Sequence, residues 1–430
     1  MKFPSRVIVL SALLSASLSL NSSANTVSAT PQTNAHTTSR ALPLAALPPE
    51  HLVRQTLENL PLLRASTLNI DLAREGKSKL ESGSYEWSLK VAANRRTDQI
   101  GDRFNEQELA LERPVRWFGK QQKDVAIGEK GLLIAEASRA DNWHEAGRTL
   151  MKDWFDSLRE ILTVRRLQEQ LAIADDLRQI ADKRVRAGDA AKLEAVMADT
   201  EYQRVNAMLQ QALLREQQML QLLKTSYPAL PEPDPVAIAV PQFSADSADI
   251  WLDRILQDNH ELELAQAQAD LLSLQASRAA SDKMPDPTIG FRAGRERDGQ
   301  ERIFGISISI PIPGSYRRSE SDSASLRAKI AQENLAQTRL KVRTVAQRVI
   351  TQSQRSYLIW QSMLQVQQQS QNQANTMMTA YQLGEAALTD TLNARRQALD
   401  ATLSAETAQI DALEAQARLQ LDTHAIWSID

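Results

Sequence analysis

The stretch Met284 to Gly314, MPDPTIGFRAGRERDGQERIFGISISIPIPG, constrains this chain more than any other. Ile289, Phe291 and Ala293 interleave with Gly290, Arg292 and Gly294. Ile306, Ile308, Ile310 and Ile312 interleave with Ser307 and Ser309. Period-two alternation specifies strands with one apolar and one polar face. The charged link Arg295 to Arg302 is a hairpin loop in this reading. Nearly everything else has helical periodicity. A lone two-stranded ribbon is marginal in water, so this hairpin needs partners.

A second such pair exists. Tyr85, Trp87, Leu89, Val91 and Ala93 alternate with Glu86, Ser88, Lys90 and Asn94. After a polar loop, Leu109, Leu111 and Val115 alternate with Glu108, Ala110 and Glu112. Pro114 belongs at a strand end, where a missing N–H is tolerated. The expected strands are residues 85–94, 106–116, 287–295 and 303–312. Pro311 and Pro313, like Pro114, should kink the passage from strand to helix.

The helical segments repeat with the hairpins. Helix is expected from Pro48 to Glu81, from Lys120 to Ala187 and on to Thr225. The pattern restarts at Ala248 to Lys283, then Tyr316 to Leu383, and continues to Trp427. The best anchor of the duplication is Arg186-Ala187-Gly188-Asp189-Ala190-Ala191 against Gln382-Leu383-Gly384-Glu385-Ala386-Ala387. An acid follows each Gly by six residues, Glu194 and Asp390. The organisation read from this is a first repeat at 47–226, a Pro-rich linker at 227–246 and a second repeat at 247–428.

At the N-terminus, Lys2 and Arg6 precede the apolar run Val7 to Leu20, followed by small residues. This is the pattern of a signal peptide over 1–24, with cleavage after Ala24 or Ala29. Its apolar run is too short to span a bilayer as a helix. Residues 25–46, rich in Ser, Thr, Asn, Ala and Pro, are expected to be flexible. The net charge of -3 gives no broad basic face, so nucleic acid is not an expected partner. The chain has no Cys, which excludes disulfides, thiolate metal sites and an acylated N-terminal cysteine. Past the leader no window holds about 18 apolar residues, so any membrane insertion must be by strands.

Four strands of about ten residues have transmembrane length, yet four cannot enclose a lumen. Open edges in lipid are not allowed, so copies of the chain must close the sheet. Three chains would supply twelve strands, although any closing oligomer satisfies the argument. The long helices carry narrow apolar seams, Leu150, Trp154, Leu158, Ile161 and Leu162 in one and Leu399, Leu403, Ile410, Leu413, Ala417 and Leu421 in another. Such seams suit a one-layer wall wet on both sides. The Gln-rich run Gln361 to Gln373 fits its lining.

The tandem repeat, the two hairpins entered and left by helices, and Tyr381-Gln382-Leu383-Gly384 with Leu392-Asn393-Ala394-Arg395 resemble the TolC family of outer-membrane efflux proteins over residues 48–427. The resemblance implies a mainly α protein with a small transmembrane β part: a trimeric channel-tunnel, with a twelve-stranded barrel on a long helical barrel. It implies a location in the Gram-negative outer membrane, with the tunnel in the periplasm. It implies a homotrimer contacting outer-membrane lipid, a periplasmic adaptor (membrane fusion protein) and an inner-membrane pump of the resistance-nodulation-division type. No cofactor and no enzymatic activity are implied. The length and early C-terminal stop are similar to the CzcC branch, which serves heavy-metal pumps. The alternatives are a multidrug or type I secretion channel, or, in another class, a periplasmic coiled-coil adaptor or structural protein.

By the same resemblance, Asp390, Asn393 and Glu194 are candidates for the periplasmic constriction. A ring of carboxylates there would attract cations; the competing account is a solvated acid in the first turns of a helix, favoured by the macrodipole. Arg186, Ala187, Gly188, Leu383 and Gly384 are the candidate adaptor-contact tip. Trp87, Trp117, Phe118 and Phe291 are candidate membrane-interface aromatics. The five histidines, His36, His51, His144, His260 and His424, show no ligand spacing, so no Zn or Cu site is expected. No catalytic arrangement or phosphate loop occurs.

Overall fold

The computed structural model describes residues 46–97, 99–235, 238–243 and 246–429. The expected signal peptide and nearly all of the 25–46 segment lie outside these residues. The described elements are α1 (Glu50–Asn59), α2 (Pro61–Ser82), β1 (Ser88–Thr97), β2 (Arg103–Pro114), α3 (Lys120–Ala187) and α4 (Lys192–Ser226). They continue with α5 (Ala248–Gln257), α6 (His260–Ser281), β3 (Thr288–Glu296), β4 (Glu301–Ser309), α7 (Ser315–Gln382) and α8 (Leu388–Asp422). Helices α1 to α4 have 10, 22, 68 and 35 residues, and α5 to α8 have the same four lengths. At about 1.5 Å per residue, each 68-residue helix is roughly 100 Å long.

Two helices expected to be continuous are each broken after their first ten residues. Leu60 takes an extended backbone, and Pro61 opens α2 at N1, where its missing N–H costs nothing. In the second half Asn259 caps α6, its side chain accepting the Leu262 N–H at 2.9 Å. Both sites lie inside runs whose apolar periodicity masks the break.

The strands form one antiparallel sheet in the order β1-β2-β3-β4, with β2 against β3 joining the two halves. Ladders run further into the loops than alternation implies, to Thr97↔Arg103 and Glu296↔Glu301. Backbone pairing needs no apolar side chain, and charged pairs such as Arg96 with Glu106, at 3.3 Å, support these outer rungs. β1 starts three residues later than expected, at Ser88, and β4 stops three earlier, at Ser309. Pro311 and Pro313 lack the N–H that a longer β4 would need. The β3–β4 connection narrows to a short 3-10 turn at Arg297–Gly299.

The helical body has its largest core where α3, α8 and α1 meet. Trp143, Leu150, Trp154, Phe155 and Leu158 of α3 pack with Ile410, Leu413, Ala417 and Leu421 of α8, over Val53 and Leu57. The expected seams of α3 and α8 are therefore packed. The Pro-rich linker is docked too: Tyr227 is buried and its hydroxyl donates to Asp153 at 2.9 Å. Leu230, Ile238 and Ala239 lie on the same core. Ala46, at the edge of the segment expected to be flexible, is buried and accepts the Trp154 indole N–H at 2.6 Å. No described helix is long and apolar enough to cross a membrane.

Candidate functional site

The sheet sorts side chains by chemistry. Registers place Leu89, Leu111, Phe291 and Ile306 in one row across all four strands, and Val91, Leu109, Ala293 and Phe304 in the next row of the same face. The opposite face carries the rows Ser88, Glu112, Gly290, Ser307 and Lys90, Ala110, Arg292, Gly305. There the Lys90 ammonium meets the Glu112 carboxylate at 2.5 Å. The apolar face is open: Val91 is 74%, Phe304 82% and Ile306 74% exposed. A contiguous patch of that size on one chain marks a membrane or partner surface. β1 and β4 are the two ends of the sheet, and each has a ladder on one side only.

The expected interface aromatics separate in position. Phe291 lies mid-strand in the apolar row. Trp87, half exposed, precedes β1, with the Arg113 guanidinium 5.4 Å from its ring centre. Trp117 and Phe118 follow β2 and meet edge to face at 6.0 Å; Phe118 is 92% exposed. Core packing does not account for Trp87, Phe118 or Phe291. Phe304, in the same apolar row as Val91, completes the set and was findable from its place in the alternation with Ile306.

Where strands meet helices, an ionic knot holds the sheet to the helical body. Lys120, fully buried at the start of α3, donates to Asp282 and Asp286, both at 2.8 Å. Asp286 also accepts the Tyr85 hydroxyl and the Trp117 N–H, each at 2.9 Å. Arg116 donates to the Leu80 and Glu81 carbonyls at the end of α2. Gly83 has φ +70°, and a β-carbon there would collide with the Arg116 guanidinium. Asp282 and Asp286 lie in a loop with no motif around them, so sequence gave no signal for this site.

At the other end of the long helices are two matching turns. Gly188 and Gly384 have φ +83° and +80°. Asp189 N–H bonds the Arg184 carbonyl at 2.9 Å, and Glu385 N–H bonds the Ala380 carbonyl at 2.8 Å. Both are six-to-one helix stops, which call for the left-handed backbone that Gly supplies. Arg186, Ala187, Gly188, Leu383 and Gly384 are all exposed here, Leu383 at 70%. Leu193 and Val196 at the start of α4 add exposed apolar surface that the sequence reading left out.

The constriction candidates differ from one another. Asp390 and Asn393 are exposed one turn apart on α8. Glu194 is half-buried and accepts a hydrogen bond from the Tyr381 hydroxyl at 3.1 Å, tying α4 to α7. Tyr381 is itself buried, with the Arg184 guanidinium 4.8 Å from its ring centre. Seven residues on, Glu201 is 2% exposed and takes 2.6 Å contacts from both Arg204 and Arg396. Burial pushes the Glu201 carboxyl up, but hydrogen bonds from Arg204 and Arg396 outweigh it and hold it below the ordinary range.

Residues 251–421 match the family model for outer membrane efflux protein. The match lies within the second half of the chain and covers less than half of it. The fold of most of the chain is shared with solved outer membrane channels. CmeC of Campylobacter jejuni is 14% identical, with a TM-score of 0.72, covering 88% of this chain and 86% of that one. VceC of Vibrio cholerae is 17% identical, with a TM-score of 0.70, covering 87% and 95%. MtrE of Neisseria gonorrhoeae is 16% identical, with a TM-score of 0.69, covering 87% and 88%. No curated protein sequence matches the chain. The matched residues contain β3, β4, the tip at Gly384 and α8 up to Leu421.

Proposed function

We propose that this chain is one protomer of a passive export duct of the Gram-negative outer membrane. The observation that carries the reading is the four-stranded sheet, greasy on one face and charged on the other, with edges β1 and β4 left for neighbours. Copies joined β4 to β1 would close a barrel with lipid outside and water within. Three copies would give twelve strands. The helices would continue the conduit into the periplasm, and the exposed turns at Gly188 and Gly384 would meet an adaptor bringing substrate from an inner-membrane pump. Asp390 and Asn393 would narrow its tip. Energy for transport would come from the pump.

For cargo, the reading is heavy-metal cations, on the resemblance to the CzcC branch. A multidrug or protein-secretion duct is the alternative. A periplasmic adaptor or coiled-coil structural protein does not explain an exposed apolar sheet face.

Fractionation and cross-linking test the duct. Outer-membrane recovery as a detergent-extracted trimer is expected; a soluble periplasmic monomer would overturn the reading. Deleting the gene should sensitise cells to metal salts; sensitisation to drugs alone would reassign the cargo.

A further inference from the structure

Three histidines far apart in sequence meet within the helical body. His144 lies on α3, His260 is the first residue of α6, and His424 follows the end of α8. The sequence spacing, from which no Zn or Cu site was expected, does not reveal this grouping. Ligand spacing along a chain detects sites within one element, whereas this cluster is assembled by three. The His260 and His424 Nε2 atoms are 3.2 Å apart. Ring centres lie 4.3 to 4.9 Å from one another. One ring nitrogen from each residue lies within 4.8 Å of the other two. Two nitrogens on a tetrahedral zinc, at about 2.0–2.1 Å from the ion, stand roughly 3.3–3.4 Å apart. The His260–His424 pair is thus already at bite distance, and the third ring needs a shift of about an ångström or slightly more.

Independent features point the same way. His144 is 4% exposed, and its Nε2 makes no hydrogen bond among the described residues. A buried polar atom left so is costly unless something else fills its coordination. Glu263 Oε2 is 3.5 Å from His260 Nδ1, the nitrogen opposite the Nε2 that faces the cluster. A carboxylate behind a histidine is the usual device for aiming it at a metal.

The backbone at His424 is the most telling feature. Its φ is +58°. Ala425 N–H bonds the Gln420 carbonyl at 2.9 Å, and His424 N–H bonds the Leu421 carbonyl at 3.0 Å. This is the same helix stop as at Gly188 and Gly384, with an imidazole where those two use Gly. A β-carbon is strained there, and strain of that kind points to a role for the side chain. His260 and His424 also line a solvent-open pocket of about 670 Å³ with Asp258, Gln266 and Arg339, which gives an ion a way in.

We propose that His144, His260 and His424 form a binding site for one divalent first-row transition-metal ion, with a coordination position open to the pocket. An all-imidazole set suits zinc, copper, nickel or cobalt and disfavours calcium and magnesium. The ion would tie α3 of the first half to α6 and α8 of the second in a chain that has no disulfide. The site requires nothing about the sheet, the oligomer or the cargo, so it stands or falls separately from the duct.

The test uses tag-free, full-length processed protein in detergent, stripped with EDTA and titrated calorimetrically with zinc sulfate, calcium chloride serving as the control. One zinc per chain is expected, with nitrogen neighbours at about 2.0 Å by X-ray absorption. His144→Gln, His260→Gln and His424→Gly should each weaken zinc binding by at least about tenfold. His424→Gly is decisive, because Gly relieves the backbone. The metal-free variant should melt no lower than the metal-free parent and lose the zinc-induced rise in Tm. Absence of saturable zinc binding, or undiminished binding by His260→Gln and His424→Gly, would overturn the site.

Discussion

Single residues carry two separable kinds of electrostatics in this chain. Asp390 is exposed at the start of α8, with no side-chain ion pair or hydrogen bond among the described residues, and in the proposed duct its copies would gather around an axis. Replacing it with Ser or Arg should lower cation preference and change conductance in planar bilayers; unchanged selectivity would remove Asp390 from the constriction. Glu201 is the opposite case, buried and already satisfied by Arg204 on its own helix and Arg396 on α8. Both guanidiniums stay near 40% exposed, 38% and 43%, so Glu201→Gln should cost about 1–3 kcal/mol, less than a fully buried pair. The Glu201 carboxyl is held below its unfolded value, so its contribution is complete above that value, near 4.5, and is lost as pH falls through the folded one. Thermal melts of parent and variant should therefore converge on acidification below about pH 4.5. A gap of constant size throughout the acid range would assign the effect to packing.

Elements show what the sequence could and could not disclose. Strand faces were legible because Leu89, Leu111, Phe291 and Ile306 each obey a two-residue period, which a pleated chain cannot disobey without changing face. Element ends were less legible. The breaks at Leu60 and Asn259 hide in helical periodicity, and the outer rungs from Arg95 to Asn105 are held by backbone pairing and charge. Contacts between elements distant in sequence were not legible at all: the Lys120–Asp286 knot and the His260–His424 contact, 164 residues apart, leave no local trace. Gly83 is the hinge of the knot that can be tested. It combines a left-handed φ with a site where a β-carbon would strike Arg116 and Tyr85. Gly83→Ala should destabilise the protein by roughly 1–3 kcal/mol, more than Gly101→Ala in the open β1–β2 loop. The comparison matters because Gly101 also has positive φ, at +97°, but nothing within 4 Å. Equal Tm losses would mean that the junction yields freely and that only the backbone term counts.

At the scale of the molecule, the sheet face decides between a membrane wall and a soluble surface, and adjacent residues of β4 can settle it. Ile306 is in the apolar row with Leu89, Leu111 and Phe291; Ser307, one position on, is on the opposite face in the row of Glu112, with Gly290 between them. A lysine at Ile306 would place an ammonium against hydrocarbon, at a cost of about 2–4 kcal/mol per chain near the bilayer midplane, multiplied by the number of copies in a closed barrel. A lysine at Ser307 would face water and a carboxylate. Ile306→Lys should sharply reduce heat-resistant oligomer in the outer-membrane fraction and ion conductance in planar bilayers, while Ser307→Lys leaves assembly intact. In water the order would reverse: an added charge on an exposed apolar patch improves solubility, and crowding Ser307 against Gly290, where even a β-carbon would approach Ser307 Oγ to 2.6 Å, would be the more harmful change. The sign of the difference between two neighbouring substitutions therefore reports which medium the sheet occupies, independently of any assumption about cargo, adaptor or pump.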